Sequence, residues 1–534
     1  MVMRFAAHAR LLWWLLGLAA LSGCASLPDV AQRPDVHALP PAWDGVLGRL
    51  AANSVDDARL SGFRLLATGG VALRARLALI EHARASVDLQ VYQFKSDRSG
   101  WRLMRALRDA AARGVRVRLL VDDFYTVGDD LMLLGLAAHP NVEVRLFNPI
   151  AFWRDSLALR MVASLLGEER LHRRMHNKLM LVDGVLAIAG GRNIGDEYFE
   201  PQGEQTYFDF DVLVAGAVVP QLVRTFDPYW NSRFAHDVRV VLGEAGAAAP
   251  LRDAFERELA AGCGAARCDD VPLAPPEAQS WRALAAAIDN GRITMHMAHA
   301  SAAADLPEKI ESTPVADLSR LAAAGAEVRM RVALAVRQAR DEMVIVSPYL
   351  IPGPTGLASL REFRQRGVRV TLLTNSLAAT DEPLVHIGYR RYRGDIVREG
   401  VELYEWSPAR SGRVFRQLLG GRTVLRLHAK CALIDRRFVY LGSMNFDPRS
   451  RDFNTEFGLV IHSEDLAAEI HALIDRVRRE GAHRVMLAAD GRTLRWVPGD
   501  SVDPEVDEGF EPGTDFWSRL LLDLLSPFVP EELL

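Results

Sequence analysis

Apolar positions follow two rhythms, a helical spacing of three and four residues and short β-branched runs, and these alternate from about Phe63 to Arg479. From Ala75 the pattern is helical and then becomes the strand Val87-Asp88-Leu89-Gln90-Val91-Tyr92; from Val328 the same order leads through Met343-Val344-Ile345-Val346 to Tyr349. A helix closing at Gly114 feeds Val115-Arg116-Val117-Arg118-Leu119-Leu120, and another closing at Gly367 feeds Val368-Arg369-Val370-Thr371-Leu372-Leu373. Gly just past the last helical turn, followed by a β-branched run, marks a helix-to-strand junction. A third pair, Val142-Glu143-Val144-Arg145-Leu146-Phe147 and Val401-Glu402-Leu403-Tyr404-Glu405-Trp406, is followed in each case by Pro.

The chain is therefore written twice, about 250 residues apart. Helices alternating with strands predict an α/β fold of two pseudo-symmetric α/β/α sandwich lobes, each with a mixed central sheet. The boundaries read as lobe 1 over 61–243, an Ala-, Gly- and Pro-rich inter-lobe connection with no visible repeat partner over 244–320, lobe 2 over 321–482, and a C-terminal extension over 483–534. That extension carries an apolar, Trp-bearing helix candidate, Phe516 to Leu525, suited either to a membrane interface or to docking on the core.

A fourth repeated block carries the chemistry. The first copy reads His176-Asn177-Lys178, Asp183, then Gly190-Gly191-Arg192-Asn193; the second reads His428-Ala429-Lys430, Asp435, then Gly442-Ser443-Met444-Asn445, with all spacings equal. Residues two apart on a strand share a face, so the imidazole and ammonium of each copy emerge together. Asp183-Gly184 is a turn pair between two apolar runs and predicts a β-hairpin. Gly190 and Gly191 allow backbone N–H groups to approach an anionic oxygen, and Asn193 and Asn445 add neutral donors. Splitting a phosphodiester by double displacement needs a nucleophile, a proton donor for the leaving alcohol, and cations for the phosphate oxygens. Two His, two Lys and two Asn supply that set. Each block precedes an acidic segment, Phe208-Asp209-Phe210-Asp211-Val212 and Phe453-Asn454-Thr455-Glu456-Phe457. Aligned residue for residue, Asp211 and Glu456 coincide, and each is placed to hold the far nitrogen of a catalytic His.

The duplicated H-x-K-x4-D-x6-G-[GS]-x-N pattern resembles the HKD motif of the phospholipase D superfamily, over most of the chain from Phe63 to Arg479. Arg173 to Lys178, Gly190 to Phe199, Glu511-Pro512-Gly513-Thr514 and Pro530 to Leu534 resemble the bacterial branch that holds type C cardiolipin synthases. The resemblance implies a covalent phosphohistidine intermediate and no required metal or other cofactor. It implies a catalytic set of His176, Lys178, Asp183, His428, Lys430 and Asp435, with His176 the nucleophile and His428 the acid/base, although near-symmetry leaves their order open. The two Asp are also suited to a structural place in the hairpin turn. Asn193, Asn445, Gly191 and Ser443 are expected on the substrate phosphate. The implied reaction is phosphatidyl transfer on phospholipids, phosphatidylglycerol and alternatively phosphatidylethanolamine; the alternatives are a hydrolase releasing phosphatidic acid and a nuclease.

Charge and targeting signals narrow this. Lys plus Arg total 64 against 68 Asp plus Glu, a formal charge of −4, which argues against nucleic acid held by bulk positive charge. Arg4 and Arg10 precede an apolar run from Leu11 to Leu21, too short to span a membrane as a mature helix. Leu21-Ser22-Gly23-Cys24 resembles a bacterial lipobox, predicting a signal peptide over 1–23, a lipidated Cys24 and a tether over 24–60. Ala25 then favours the outer membrane, facing the periplasm. Of the other cysteines, Cys263 and Cys268 are close enough to close a small ring, while Cys431 lies in an apolar strand as expected of a buried thiol. His296 and His299 lack the further ligands a metal needs. Arg192, Arg449 and Arg451 follow the motifs and reach either lipid phosphate or solvent.

Overall fold

The computed structural model describes residues 33–531 apart from 151–153, 166–168, 201–204, 244–246, 268–270, 272, 313–324, 412–423 and 500–509. The predicted signal peptide, Cys24 and Cys268 thus lie outside the described residues.

The first half contains β1 (Ser61–Leu66), β2 (Ser86–Val91), β3 (Arg116–Asp122), β4 (Val142–Phe147), β5 (Leu179–Val182), β6 (Leu186–Gly190), β7 (Gln205–Phe208), β8 (Asp211–Gly216) and β9 (Ala235–Asp237). Pairing runs β9-β4-β3-β2-β5-β6-β8-β1, with β2, β3 and β4 parallel and the flanks antiparallel. The second half repeats it with β10 (His296–Ala304), β11 (Glu342–Val346), β12 (Arg369–Asn375), β13 (Glu402–Trp406), β14 (Val424–Leu427), β15 (Cys431–Ile434), β16 (Phe438–Gly442), β17 (Phe457–His462), β18 (Ala482–Leu487) and β19 (Leu494–Pro498). Its order is β19-β18-β13-β12-β11-β15-β16-β17-β10, again with a parallel centre. β1 and β10 pair antiparallel, Ser61 opposite Ala298, and join the two sheets.

Three boundaries differ from the sequence reading. β10 lies inside the stretch read as a connection, yet it is to β17 what β1 is to β8; its Ala-rich sequence, His-Met-Ala-His-Ala-Ser-Ala-Ala-Ala, lacks the β-branched signature of a strand. β18 and β19 extend the sheet of lobe 2 past 482. Residues 33–60 are packed rather than a free tether: Arg33 donates to the Ala235 carbonyl at 2.7 Å, the Ala38 N–H donates to Asp227 at 2.8 Å, and the helix Val46–Ser54 buries Leu47 and Leu50.

The motif strands are buried on both faces, and alternation sorts their side chains. Met180 and Val182 of β5 join the outer core of lobe 1, beside Leu79 and Leu107 of the covering helices Gly69–His82 and Arg98–Ala112. Leu179 and Leu181 point the other way, into a core shared with Cys431 and Leu433 of β15. That shared core, with the helices Val219–Asn231 and Glu464–Gly481 contributing Phe226 and Ile470, welds the lobes together. Cys431 is a buried free thiol there, and burial pushes its pKa up. Cys263 is disulfide-bonded.

Candidate active site

β5–β6 and β15–β16 are the two motif hairpins, and each turns through two left-handed residues: Asp183 (φ 54°) with Gly184 (φ 65°), and Asp435 (φ 50°) with Arg436 (φ 54°). Two positive φ values match the twist of the flanking strands. The aspartate side chains do not reach the cleft. Asp183 accepts from the backbone N–H groups of Arg84, Ala85 and Ser86, the closest at 2.7 Å, and Asp435 does the same for Arg340, Asp341 and Glu342, the closest at 2.8 Å. Counted with the catalytic set by resemblance, both instead fasten the hairpin to the start of the neighbouring parallel strand.

Just before each motif strand the chain crosses to the other lobe. The His176 N–H donates to the Thr455 carbonyl and the His428 N–H to the Phe208 carbonyl, both at 2.9 Å. β7 and β14 extend the second contact as a parallel pair, ending at Phe208 opposite Leu427. These crossings lay each imidazole beside the acidic segment of the opposite lobe. His176 Nδ1 lies 3.0 Å from Glu456 Oε2, and His428 Nδ1 lies 2.5 Å from Asp209 Oδ2. With Nδ1 engaged, Nε2 is the nitrogen each ring offers to substrate, and both rings line one cleft of about 350 Å³.

The residue-for-residue alignment of the acids was therefore two positions off. Gly191 N–H donates to the Phe210 carbonyl and Ser443 N–H to that of Phe457, so the equivalent dipeptides are Asp209-Phe210 and Glu456-Phe457. A slip of two keeps the face of a strand but moves the side chain one step along it. Asp211 is buried one step away, pairing with Arg76 at 3.0 Å and Arg192 at 3.2 Å. Arg192 is correspondingly internal, and Arg451 pairs with its neighbour Asp452; of the three arginines following the motifs, Arg449 lines the cleft.

Gly191 and Ser443 serve the carboxylates, against the expectation that they touch phosphate. A Cβ at Gly191 would lie 2.2 Å from Asp209 Oδ1, and the Ser443 hydroxyl donates to Glu456. Only Gly fits beside Asp209, whereas Ser443 actively holds Glu456.

Both lysines are buried, and each donates from Nζ to the carbonyl of its own histidine, Lys178 to His176 at 2.6 Å and Lys430 to His428 at 2.5 Å. Burial lowers the Lys430 pKa to about 8, against the pull of Asp209; burial and the facing Lys430 lower Lys178 well below its usual value. Burial pushes His176 down to about 4 despite Glu456, and burial with the two lysines pushes His428 well below 6.5. Burial raises Glu456, but His176, Lys178 and Ser443 outweigh it and hold that carboxyl near 2. At rest the imidazoles are neutral and Glu456 is ionised beside His176, while burial raises the Asp209 carboxyl beside His428 against the pull of Lys430 and Arg192. Asn193 and Asn445 face the same cleft; Asn193 Nδ2 donates to the Tyr198 hydroxyl at 2.9 Å, and the buried Asn445 Oδ1 has no hydrogen-bond partner.

The cleft also holds residues that sequence reasoning passed over. Tyr92 and Tyr198 set ring edges against His176 and His428, each pair of centroids 5.1 Å apart. Asp381 accepts from the hydroxyls of Tyr207 and Tyr349, both at 2.8 Å, and Glu382 beside it is raised to about 7 by burial and by Asp381. Nothing in the local sequence of Asp381-Glu382 marks it; the acid–Phe dipeptide was the legible signal for Asp209. His296 pairs with Glu469 at 2.9 Å, and among the described residues no group of three or more His, Cys, Asp or Glu could hold a metal ion.

Residues 77–230 and 333–478 match the family described as cardiolipin synthase, PLD-like domain. Cardiolipin synthase C of Escherichia coli is 36% identical over 469 residues, spanning 87% of this chain and 94% of the relative. An uncharacterized protein of Helicobacter pylori is 30% identical over 97% of this chain and 98% of its own length. Among solved structures, phosphatidylserine synthase of Haemophilus influenzae shares the fold at a TM-score of 0.54, with 13% identity over 89% of this chain and 95% of the other.

Proposed function

The chain belongs to the cardiolipin synthase family of phospholipase D-like enzymes, and from that premise we propose that it is a phosphatidyl transferase making cardiolipin from phospholipid donors. One observation carries the reading: two histidines from opposite lobes line a single cleft, each with a carboxylate on Nδ1.

In the first half-reaction Nε2 of neutral His176 attacks phosphorus, the bond from phosphorus to the headgroup oxygen breaks, and His428 gives that oxygen its proton. The anionic phosphodiester offsets Lys178 and Lys430, so His428, neutral at rest, takes up that proton on Nε2 from solvent as the substrate binds. In the second, an acceptor hydroxyl attacks the phosphohistidine, His428 takes its proton, and the bond from nitrogen to phosphorus breaks. Lys178, Lys430, Asn193 and Asn445 bind the phosphate oxygens. Asp209 and Glu456 fix the tautomers and stabilise each ring when it becomes cationic.

The cleft is not uniformly basic. Asp381, Glu382 and Glu197 line it together with Lys95, Arg426 and Arg449. An acidic wall repels phosphate but accepts hydrogen bonds, which suits a headgroup rich in donors: the hydroxyls of phosphatidylglycerol, or the ammonium of phosphatidylethanolamine. The lipobox-like Leu21 to Cys24 and Ala25 support attachment through Cys24 to the outer membrane, on its periplasmic face. That places the enzyme at a lipid pool, where acceptor headgroups outcompete water through local concentration.

The test is to supply labelled phosphatidylglycerol in vesicles, with and without phosphatidylethanolamine, and identify every product. Cardiolipin should exceed phosphatidic acid. Phosphatidic acid as the main product would replace the transferase with a hydrolase, and cleavage of DNA without lipid turnover would reject both.

A further inference from the structure

The C-terminal helix Phe516–Leu525 inverts the usual order of a surface helix. Phe516, Trp517, Leu521, Leu524 and the following Phe528 are 57% to 81% exposed, and Leu522 alone of its large side chains is buried. Helices dock through their apolar stripe, but this one is held by polar contacts, one from its own Asp523 to Arg390 at 3.0 Å and the rest on either side of it. Ahead of it, buried Glu511 pairs with Arg393 and lies 3.1 Å from His386 Nε2. Beyond it, Arg391 donates to the carbonyls of Ser526 at 2.7 Å and Val529 at 2.9 Å, and the Tyr392 hydroxyl donates to Glu531 at 2.8 Å. All of these anchors, Arg390 included, stand on one helix, Pro383–Arg398.

That anchoring helix is a wall of the active site. It begins directly after Asp381 and Glu382, and its Val385 lines the cleft. Gly513, three residues ahead of the C-terminal helix, packs at Ala378, where an added Cβ would stand 3.3 Å from the Ala378 Cβ. On lobe 1, Leu157 and Met161 of the helix Leu157–Leu165 also line the cleft, and Met161 and Leu159 are 41% and 48% exposed.

We propose that the C-terminal helix and Phe528, with Leu159 and Met161 on lobe 1, form a two-sided apolar rim that enters the headgroup boundary of a phospholipid bilayer and feeds lipid directly into the site. The inference rests on the phospholipid reading above. A rim on both lobes decides the occupant: a second copy covering both sides would cap the cleft, whereas a bilayer supplies the reactants through it. Polar clamping follows from the same role, since a face reserved for lipid cannot also fasten the helix to the protein. Trp on an apolar face with Arg519 alongside is the composition of an interfacial helix.

The test uses the full chain with vesicles of phosphatidylglycerol and phosphatidylethanolamine in equal parts, some carrying bromine on the acyl chains. The difference in bromine quenching between the intact protein and Trp517→Phe isolates Trp517, and strong quenching of that difference signal is expected. Leu521→Ser/Leu524→Ser/Phe528→Ser should fold with an unchanged melting temperature and turn over vesicle lipid at least ~10-fold more slowly. It should release headgroup from monomeric dihexanoyl phosphatidylglycerol at the intact rate. An unquenched Trp517 would overturn the proposal. So would equal loss on vesicles and on monomeric lipid, or a dimer in lipid-free sedimentation that the triple variant abolishes. If the intact chain binds vesicles through Trp517 but turns over neither lipid, the transferase reading fails and the bilayer rim stands.

Discussion

Burial decides the ionisation of the catalytic groups before any substrate arrives, and that fixes how the enzyme should respond to pH. His176 must be neutral to attack, and its neutral form exists above its pKa; moved from 6.5 to about 4, that form persists well into acid, with Glu456 ionised throughout because its carboxyl is held near 2. Lys430 must be cationic to hold phosphate and loses its proton above about 8. A profile of kcat/KM, which reports the free enzyme, should fall on the acid side near 4 instead of near 6.5, and on the basic side first as His428, pushed below its usual 6.5, loses the proton it must donate and again near 8 with Lys430. A half-maximum near 6.5 on the acid side would mean that His176 is not the buried nucleophile. The two neighbouring aspartates give a second contrast. Asp209→Asn should cut kcat by about 100- to 10,000-fold while melting normally, because it misorients His428 without opening a cavity. Asp211→Asn strips the anion from Arg76 and Arg192, a buried grouping whose rupture costs about 3–5 kcal/mol. It should lower the melting temperature and leave the turnover of the folded fraction nearly unchanged. Reversal of these two phenotypes would restore Asp211 as the partner of His428.

At the scale of elements the motif is a hairpin with a fastener. Asp183 stands in a left-handed turn and collects three backbone N–H groups that have no other partner in sight, so Asp183→Ala should cost on the order of 2–4 kcal/mol in stability. Measured with denaturant, the loss should appear without a matching fall in kcat at temperatures where the variant is folded; a selective fall in kcat would return this residue to the chemistry. The hairpins were legible because identical spacings in two copies cannot be produced by composition, and the parallel strands because Gly114 and Gly367 punctuate them with left-handed residues. Period-2 geometry limited the reading elsewhere. It assigns a face but not a step along the strand, which is how Asp211 stood in for Asp209. Gly191 and Ser443 occupy equivalent positions, yet their role emerged only from the carboxylates packed against them. β10 was hidden because tertiary pairing with β1 and β17, and not local propensity, makes its Ala-rich segment a strand. Asp381 and Glu382 were invisible for a related reason: a cleft wall is assembled from distant loops, and no local pattern marks its members.

For the whole molecule, duplication is not redundancy, because each lobe completes the other's histidine. His176 comes from lobe 1 and Glu456 from lobe 2; His428 comes from lobe 2 and Asp209 from lobe 1. The shared core of Leu179, Leu181, Cys431 and Leu433 holds these pairs in register, and the backbone bonds from His176 to Thr455 and from His428 to Phe208 set the distance between lobes at the site itself. Two independent active sites would each need a nucleophile, an acid and an orienting carboxylate from one lobe, and neither lobe has them. His176→Ala and His428→Ala should therefore each abolish turnover, by more than the 100- to 10,000-fold typical of one general acid or base where the nucleophile is lost. They should also fail differently. With 32P-labelled phosphatidyl-p-nitrophenol, whose leaving group needs no proton from His428, His428→Ala retains the nucleophile and should trap an acid-labile phosphoprotein on His176, whereas His176→Ala should trap none. Label on His428 in the His176→Ala variant would reverse the order of the two residues, and half-activity in each variant would mean two separate sites.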